Sequence, residues 1–350
     1  MSKVVLLGDT HLGARSGSGH FSRYFNKFFD NVFYPYLVEN GIKEIIQLGD
    51  LFDSRTTLSL KAYHASKNSW FTPLVKHDIR MHVLVGNHDS YHKNTININS
   101  PELFVADSYP DNVSVYSKPT ALHLYGQCFL MVPWICDDNR EDVYNFLEKH
   151  NVTGNICCGH FEIEGFSMMR GIKSEGGLPK DLFENFQRTF SGHYHTQSYD
   201  SYYRIQYVGT PYELTFADVD DPRGFHVYDT ETGEVEFIQN PYTMFSRIVY
   251  NNGWEGDINS LKDKLVKIVV ESKSDLYEFD RFVDSVKLAN AYDVQLLESV
   301  QYVQTENGQE LVVQDSLTII DNYIDSLTTS VDKTKLKDYM RGLYAEAIAL

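Results

Sequence analysis

Residues 3–11, Lys-Val-Val-Leu-Leu-Gly-Asp-Thr-His, place a short apolar run directly before a glycine and two metal-binding side chains. The run at 4–7 has the length and composition of a buried strand, and Gly8 lets the chain turn away from the strand end. Asp9 and His11 then follow the carboxyl end of the predicted strand. The same order recurs four more times along the chain.

The four recurrences come from runs of similar length. The run at 45–48 precedes Gly49-Asp50 and Asp53, the run at 81–85 precedes Gly86-Asn87-His88-Asp89, the run at 155–158 precedes Gly159-His160, and the run at 188–191 precedes Gly192-His193 and His195. Helix-length segments at 20–39 and 58–77 separate the early strands, which predicts a layered α/β core with parallel strands. Closely spaced strands from residue 204 onwards predict a more antiparallel second half.

Composition excludes several classes of protein. The chain has 350 residues, 42% hydrophobic and 23% charged residues and a net charge of −17, which is typical of a folded globular protein. Its apolar runs are shorter than the ~18–20 residues of a membrane span, and the chain enters its first strand without a signal segment. Four cysteines without a Cys-x-x-Cys pair suit a reducing cytoplasm, and Cys157 and Cys158 are expected on opposite faces of a core strand. The acidity alone argues against a nucleic-acid partner.

Three domains are expected. Residues 1–241 carry all five motifs, and residues 242–303 form a second unit with a strand at 265–271 and a helix at 277–289. Residues 304–350 begin with a polar linker at 304–309 and continue with apolar residues at helical spacing at 317–327 and a helix at 334–349. These last helices either complete a core or bind a partner surface, and the linker favours the partner.

The strand-end residues predict a centre with two metal ions. In open α/β sheets the ligand crevice lies outside the carboxyl ends of the strands, so we expect the motifs to converge there. Imidazole, carboxylate and one amide oxygen, without thiolate, favour Mn²⁺ or Fe²⁺ over a structural zinc ion. Two ions about 3.5–4 Å apart that share one carboxylate can clamp a phosphate and activate a water. The candidate ligands are Asp9, His11, Asp50, Asn87, His160, His193 and His195.

The five motifs resemble, in order, those of the calcineurin-like metallophosphoesterases. A more detailed resemblance is to the SbcD-type DNA repair nucleases, including their phage members. It rests on Gly-Asp-Leu-Phe-Asp at 49–53, Val-Pro-Trp at 132–134, Tyr-Val-Gly-Thr-Pro at 207–211 and Asp-Pro-Arg-Gly-Phe at 221–225. It implies a four-layer α/β/β/α sandwich, a small α+β capping domain that binds DNA, and C-terminal helices that bind an ATPase.

The resemblance also implies how the ligands are divided. Asp50 would bridge the ions, the first of which would also contact Asp9, His11 and His195. The second ion would contact Asn87, His160 and His193 in addition to Asp50.

Three further residues receive roles from the resemblance. His88 would not bind metal but would face the leaving 3′ oxygen and protonate or stabilise it. Asp89 would orient His88 or a neighbouring ligand. Asp53 would orient either the substrate or a ligand histidine.

The function expected from these features is a Mn²⁺-dependent DNA nuclease, with Fe²⁺ or Mg²⁺ as alternative metals. The resemblance implies 3′→5′ exonuclease and endonuclease activity in recombination and double-strand-break repair. It also implies a homodimer that joins an SMC-like coiled-coil ATPase of the SbcC type in the cytoplasm, the host's if the protein is phage-encoded. Because the chain lacks a Gly-x-x-x-x-Gly-Lys-Ser/Thr loop, ATP hydrolysis must come from another chain.

Two other functions remain open. A metallophosphatase or nucleotide phosphodiesterase would use the same centre on a non-DNA substrate, but protein phosphatases usually have Arg where this chain has Ser54. A protein that binds DNA ends or the ATPase without cutting is disfavoured by the complete set of ligands. Two divalent ions would bring positive charge to the crevice, so we expect weak, metal-dependent DNA affinity from the isolated acidic chain.

Overall fold

The structure, a computed structural model, describes residues 2–169, 172–298, 320–321, 323–325 and 332–349. The described residues divide into two compact units, those within 1–212 and 221–242 and those within 213–220 and 243–350. Among the described helices, none combines the length and the apolar character that crossing a membrane requires.

The helices are α1 (Ala14–Gly17), α2 (Gly19–Phe28), α3 (Tyr34–Glu39), α4 (Leu60–Ser66), α5 (Thr72–His77), α6 (Arg140–His150), α7 (Leu276–Leu288) and α8 (Lys333–Ala349). Wider π-helical turns lie at Phe29–Phe33, Lys67–Phe71 and Glu102–Ala106, and 3₁₀ turns at Lys180–Phe183, Phe216–Asp218 and Ile258–Leu261. The strands are β1 (Lys3–Leu7), β2 (Glu44–Gln47), β3 (Arg80–Leu84), β4 (Val113–Tyr116), β5 (Thr120–Leu124), β6 (Gln127–Val132), β7 (Asn155–His160), β8 (Ser167–Met169), β9 (Ile172–Lys173), β10 (Arg188–Gly192), β11 (Ser198–Asp200), β12 (Ile205–Tyr207), β13 (Gly224–Asp229), β14 (Val235–Gln239), β15 (Phe245–Asn251), β16 (Leu265–Ser272) and β17 (Asp293–Glu298).

Two six-stranded sheets form the centre of the first unit. Their strand orders are β14-β13-β1-β2-β3-β4 and β11-β12-β10-β7-β6-β5. Strands β1 to β4 are mutually parallel, as are β12, β10, β7 and β6. Val5 pairs with Ile45 and Ile45 with Met81, so the first three motif-bearing strands end at the same level.

The two sheets pack face to face. Leu6 and Ile46 of the first sheet share a buried cluster with Phe129, Cys158 and Phe190 of the second. Because successive side chains of a strand point to opposite faces, Cys157 packs on the other side of its sheet, as predicted.

Helices cover the outer face of each sheet. On the first sheet, Phe33 contacts Trp70 and Phe225 in an aromatic layer. On the second sheet, Val143 and Leu147 of α6 pack with Cys157. The predicted layered α/β fold is therefore confirmed, with the layers in the order α/β/β/α.

Two of the predicted helices contain a wider turn. The predicted helix at 20–39 consists of α2, the π turn Phe29–Phe33 and α3, and the helix at 58–77 has the same organisation. Each π turn ends two residues before a proline, Pro35 or Pro73. Proline lacks an N–H and its ring crowds the carbonyl four residues earlier, so the wider turn accommodates the proline without ending the helix.

The second unit contains a parallel sheet of β15, β16 and β17, covered by α7. Ile248 and Ile268 of the sheet pack against Phe279 and Val283 of α7. The predicted strand at 265–271 and the helix at 277–289 correspond to β16 and α7, and the helix predicted at 334–349 corresponds to α8. The predicted linker at 304–309 and most of the segment at 317–327 lie outside the described residues, so the three-domain division stays a prediction.

Candidate metal centre

The ends of five strands bring all seven candidate ligands into one crevice of the first unit. Strands β1, β2 and β3 contribute from the first sheet, and β7 and β10 from the second. His160 at the end of β7 pairs with Gly192 at the end of β10, which sets His193 and His195 beside it. Both sheets therefore deliver side chains to the same place.

Asp9, His11 and His195 form the first group, with one ligand atom of each within 4.8 Å of the others. Nε2 of His11 lies 3.1 Å from Nε2 of His195, which in turn lies 3.7 Å from Oδ2 of Asp9. The Asp9 carboxylate is held by the His193 N–H at 3.0 Å.

Asp50, His160 and His193 form the second group under the same 4.8 Å limit. Oδ2 of Asp50 is 3.4 Å from Nε2 of His160 and 3.9 Å from Nε2 of His11. Asn87 joins this group, because its Oδ1 lies 2.8 Å from Nε2 of His160 and 3.0 Å from Nδ1 of His193. Asp50 is thus the carboxylate that faces both groups.

The atoms around His160 fit a cation. Nδ1 of His160 donates to the carbonyl oxygen of Leu48 at 2.7 Å, so Nε2 of the neutral ring carries a lone pair. That lone pair would face two further acceptors, Oδ1 of Asn87 and Oδ2 of Asp50. Either a proton on Nε2 or a metal ion has to lie among these three acceptors, and this is the donor set that Mn²⁺ and Fe²⁺ accept.

The pKa values show how strongly the crevice attracts positive charge. Burial disfavours the imidazolium of His11, but Asp53 and Asp50 outweigh it and raise the His11 pKa to about 9. Burial acts against His160 in the same way, and Asp50 raises its pKa to about 9. Burial would raise the pKa of Asp50, but His160 and His88 hold it well below the usual range. In the metal-free protein, protons therefore take the place of the cations.

Three other candidate ligands, the half-buried His193 and His195 and the buried Asp9, have the opposite character. Burial, reinforced by the positive charge of His160, lowers the pKa of His193 to about 3. Burial also depresses the pKa of His195, with His11 and Arg223 acting in the same direction. Burial raises the pKa of Asp9 to about 6, against the opposing effect of His160. His193 and His195 are thus neutral and ready to donate lone pairs.

Three candidate ligands have strained backbones. His11, Asp50 and His193 have φ angles of 42°, 52° and 84°, in the left-handed region that costs about 1–3 kcal/mol for a residue other than glycine. The carbonyl oxygen of Asp50 accepts from the N–H groups of Thr10 and His11, both at 3.1 Å, and this ties the first two motif loops together.

The motif glycines mostly serve close approach. Gly49 has a φ of 95° and turns the chain as predicted, but Gly8, Gly86, Gly159 and Gly192 lie outside the left-handed region. A Cβ at Gly86 would lie 2.2 Å from Oδ1 of Asp50, and one at Gly192 would lie 2.5 Å from Oδ1 of Asp9. At these four positions the missing side chain makes room for neighbouring atoms, and no left-handed backbone conformation requires glycine.

His88 and Asp53 lie at the side of the first group. Nδ1 of the half-buried His88 donates to the carbonyl oxygen of Asp53 at 2.8 Å, and its ring meets His11 edge-on with 4.9 Å between centroids. Oδ1 of Asp53 lies 3.5 Å from Nδ1 of His11. Of the two roles expected for Asp53, these contacts favour orientation of a ligand histidine.

Asp89 contacts backbone N–H groups of the motif loops. Its buried carboxylate accepts from Leu51 at 3.2 Å, Phe52 at 3.0 Å and Gly86 at 2.9 Å. These bonds join the loop of Asp50 to the loop of Asn87. The carboxylate therefore acts on loops that carry ligands, whereas the His88 ring is held by Asp53.

Sequence reasoning missed two residues beside the centre. The side chain of Gln47, buried in β2, donates to the carbonyl oxygen of Gly49 at 2.6 Å and accepts from its N–H at 3.1 Å, which fixes the turn before Asp50. The Trp134 ring lies 5.1 Å from His193 and 5.9 Å from His160, measured between centroids. Two features of the sequence could have indicated these residues: Gln47 is a polar residue inside an apolar strand, and Trp134 belongs to the Val-Pro-Trp stretch.

Comparison with known proteins identifies the class. The family model for calcineurin-like phosphoesterases matches residues 2–204, so the chain belongs to that family of metal-dependent phosphoesterases and is a hydrolytic enzyme. Divalent metal ions are therefore its cofactors.

Named relatives make the comparison more specific. The chain is 32% identical to exonuclease subunit 1 of Enterobacteria phage T4 over 99% of both chains. It is 24% identical to the SbcD subunit of nuclease SbcCD from Staphylococcus epidermidis over 64% of this chain and 62% of the relative. It is also 22% identical to the SbcD subunit of nuclease SbcCD from Staphylococcus saprophyticus over 86% of this chain and 79% of the relative.

Proposed function

We propose that this protein is a DNA nuclease that hydrolyses phosphodiester bonds at a centre of two Mn²⁺ ions. The observation that carries the proposal is the position of the Asp50 carboxylate, which faces both ligand groups of one crevice. A phosphoesterase of this geometry suits a substrate phosphate that must be held from two sides.

Seven residues are assigned to the ions. Asp9, His11, His195 and Asp50 would hold one, and Asp50, Asn87, His160 and His193 the other. When bound, the two cations supply charge neutralisation for the phosphate and activate the attacking water. Asp89 and Gln47 keep the ligand loops in place, and Asp53 orients the His11 ring.

We assign His88 the role of protonating the leaving group. Its Nδ1–H is committed to the carbonyl oxygen of Asp53, so Nε2 is the atom that can exchange a proton with the substrate. As imidazolium, His88 would donate that proton to the departing 3′ oxygen of DNA.

The relatives' names support a nucleic acid as the substrate and an assembly as the working form, and we infer that the nucleic acid is DNA. One is named as an exonuclease subunit and two as nuclease subunits. We infer that this chain acts as a homodimer with an SbcC-type ATPase, cuts DNA as a 3′→5′ exonuclease and an endonuclease in recombination and repair, and works in the cytoplasm. Residues 1–241 would be the nuclease domain, residues 242–303 a capping domain that contacts DNA, and residues 304–350 the linker and ATPase-binding segment.

Digestion of end-labelled linear duplex DNA tests the activity. Chelator-treated protein should regain activity with Mn²⁺, and His88→Ala should lower the rate about 10²-fold or more while Mn²⁺ affinity is retained. His92→Ala is the matched control, because this exposed histidine lies in the loop that follows the same motif. Equal rates for wild type and His88→Ala would exclude the leaving-group role. Release of phosphate from monoesters without DNA cleavage would favour the phosphatase alternative.

Truncation tests the assignment of the tail. A chain ending at residue 300 should lose ATPase binding in a co-purification assay and keep Mn²⁺-dependent phosphodiesterase activity. ATPase binding by the truncated chain would contradict the assignment.

A further inference from the structure

Two sequence stretches that carry no candidate ligand meet at one backbone atom of the metal centre. Residues 207–211 supply the Thr210 N–H, which donates to the carbonyl oxygen of His195 at 3.1 Å. Residues 221–225 supply Arg223, whose Nη1 donates to the same oxygen. A Cβ at Gly209 would lie 2.8 Å from this oxygen, so the approach depends on glycine as well.

Arg223 is buried and held in a defined orientation. Its exposed fraction is 4%. Nη1 also donates to Oγ1 of Thr210 at 2.8 Å, and Nη2 pairs with Oδ2 of Asp221 at 2.8 Å. The planar guanidinium thus reaches three acceptors in two directions, which a lysine ammonium cannot reproduce from one point.

The same network continues to the first motif. Thr210 Oγ1 donates to the carbonyl oxygen of Tyr212 at 2.9 Å, and the buried Tyr212 hydroxyl donates to the carbonyl oxygen of Thr10. Thr10 lies between Asp9 and His11. Arg223 is therefore linked to the loops of all three residues of the first ligand group. The His160 ring of the second group is held separately, by the carbonyl oxygen of Leu48.

We propose that Arg223 is a positioning residue for one of the two metal ions, the ion held by Asp9, His11 and His195. It acts through the His195 backbone and the Thr210–Tyr212 segment and touches neither ion nor substrate. The inference rests on the proposed function in so far as it assumes two cations in the crevice.

Mn²⁺ binding to the full chain tests the proposal without relying on activity. Titration calorimetry should give two Mn²⁺ per wild-type chain, and electron paramagnetic resonance should show a coupled ion pair. In Arg223→Gln, one ion should bind about 10–100-fold more weakly and the other unchanged, so the coupled signal gives way to that of an isolated ion. Arg223→Lys should not restore the pair.

Arg204→Gln is the matched control. Arg204 also donates to backbone carbonyl oxygens of the first unit, those of Glu184 at 2.8 Å and Phe186 at 3.0 Å, but these lie outside the ligand loops. This variant should bind both ions as the wild type does. Asp221→Asn provides a milder test should Arg223→Gln fail to fold, and it should weaken the same single ion to a smaller extent.

The outcomes separate the two proposals. Wild-type affinity for both ions in Arg223→Gln, or equal weakening of both, would overturn the positioning role. If Arg223→Gln is insoluble, unchanged Mn²⁺ binding by Asp221→Asn would overturn the positioning role of Arg223. A wild-type chain that binds only one Mn²⁺ would refute the two-ion function. The effect of Arg223→Gln on that single ion would then still decide the positioning role, with weakening in its favour and no change against it.

Discussion

Gly86→Ala tests the close approach of a motif glycine to the candidate ligand Asp50. The new Cβ would lie 2.2 Å from both the backbone nitrogen and Oδ1 of Asp50, whereas real Cβ contacts essentially never fall below 3.0 Å. Asp50 therefore has to move by nearly 1 Å. Its oxygens accept from the N–H groups of Thr10, His11 and His88, so the displacement reaches the loops of both ligand groups.

The expected cost follows from this geometry. Forcing an extra methyl into a packed site destabilises by about 1–3 kcal/mol, which corresponds to a fall in Tm of about 2–4 °C per kcal/mol for a domain of this size. A displacement near 1 Å in the carboxylate that faces both ligand groups should lower metal-dependent DNA hydrolysis about 10²-fold. Thermal unfolding of the metal-free protein and the DNA digestion assay measure the two effects separately.

Gly19→Ala is the control for this substitution. Its Cβ would meet only the flexible ends of two side chains, Nζ of Lys61 at 3.2 Å and Nη1 of Arg23 at 3.7 Å, so Tm and activity should stay near the wild-type values. Wild-type activity and Tm in Gly86→Ala would refute the argument that Asp50 requires a glycine opposite it.

Three further predictions concern protons, fluorescence and packing. Because the pKa values of His11 and His160 are raised to about 9, above the unfolded value of 6.5, their contribution to the stability of the metal-free protein is complete below pH 6.5 and is lost as pH rises through 9. The Tm of chelator-treated protein should therefore fall as the pH rises from 6.5 to 9. Mn²⁺ binding at pH 8 should release about two protons per chain, which calorimetry in buffers of different ionisation enthalpy measures. A Tm that does not change with pH, or Mn²⁺ binding without proton release, would contradict the raised pKa values. Paramagnetic Mn²⁺ should quench the fluorescence of Trp134, whose ring lies 5.1 Å from that of His193, and quenching that persists unchanged in Trp134→Phe would disprove this assignment. Leu147→Ala in α6 removes a fully buried side chain that packs on the outer face of the second sheet, away from the interface between the sheets. The substitution should lower the free energy of unfolding by about 2–5 kcal/mol in denaturant titrations and leave Mn²⁺ affinity unchanged. A weakened Mn²⁺ affinity would show that this packing is coupled to the metal centre.

The sequence predicted which candidate side chains meet in the crevice, because strand ends follow a simple rule. Each apolar run had to be a buried strand, and parallel strands in register deliver the residues after them to one edge. His160 and His195 meet Asp50 and Asp9 for this reason, although more than a hundred residues separate them along the chain.

Contacts with backbone atoms could not be predicted in the same way. Arg223 binds the carbonyl oxygen of His195 and Asp89 binds the N–H group of Gly86, and every residue offers such groups. Which of them lies within reach depends on the path of the loops. The π turns before Pro35 and Pro73 were missed for a related reason, since apolar periodicity does not distinguish a wider turn inside a helix.

Each ligand group takes side chains from both sheets, and this has a consequence for biosynthesis. The ribosome synthesises Asp9 long before His195, and Asp50 before His160 and His193. A nascent chain that ends before β10 therefore cannot complete either group. With both cations bound, each ion would cross-link the two sheets and close a chain loop of more than a hundred residues. A half-made or partly unfolded chain would then be harmless to DNA, because the chemistry appears only after the sandwich has closed.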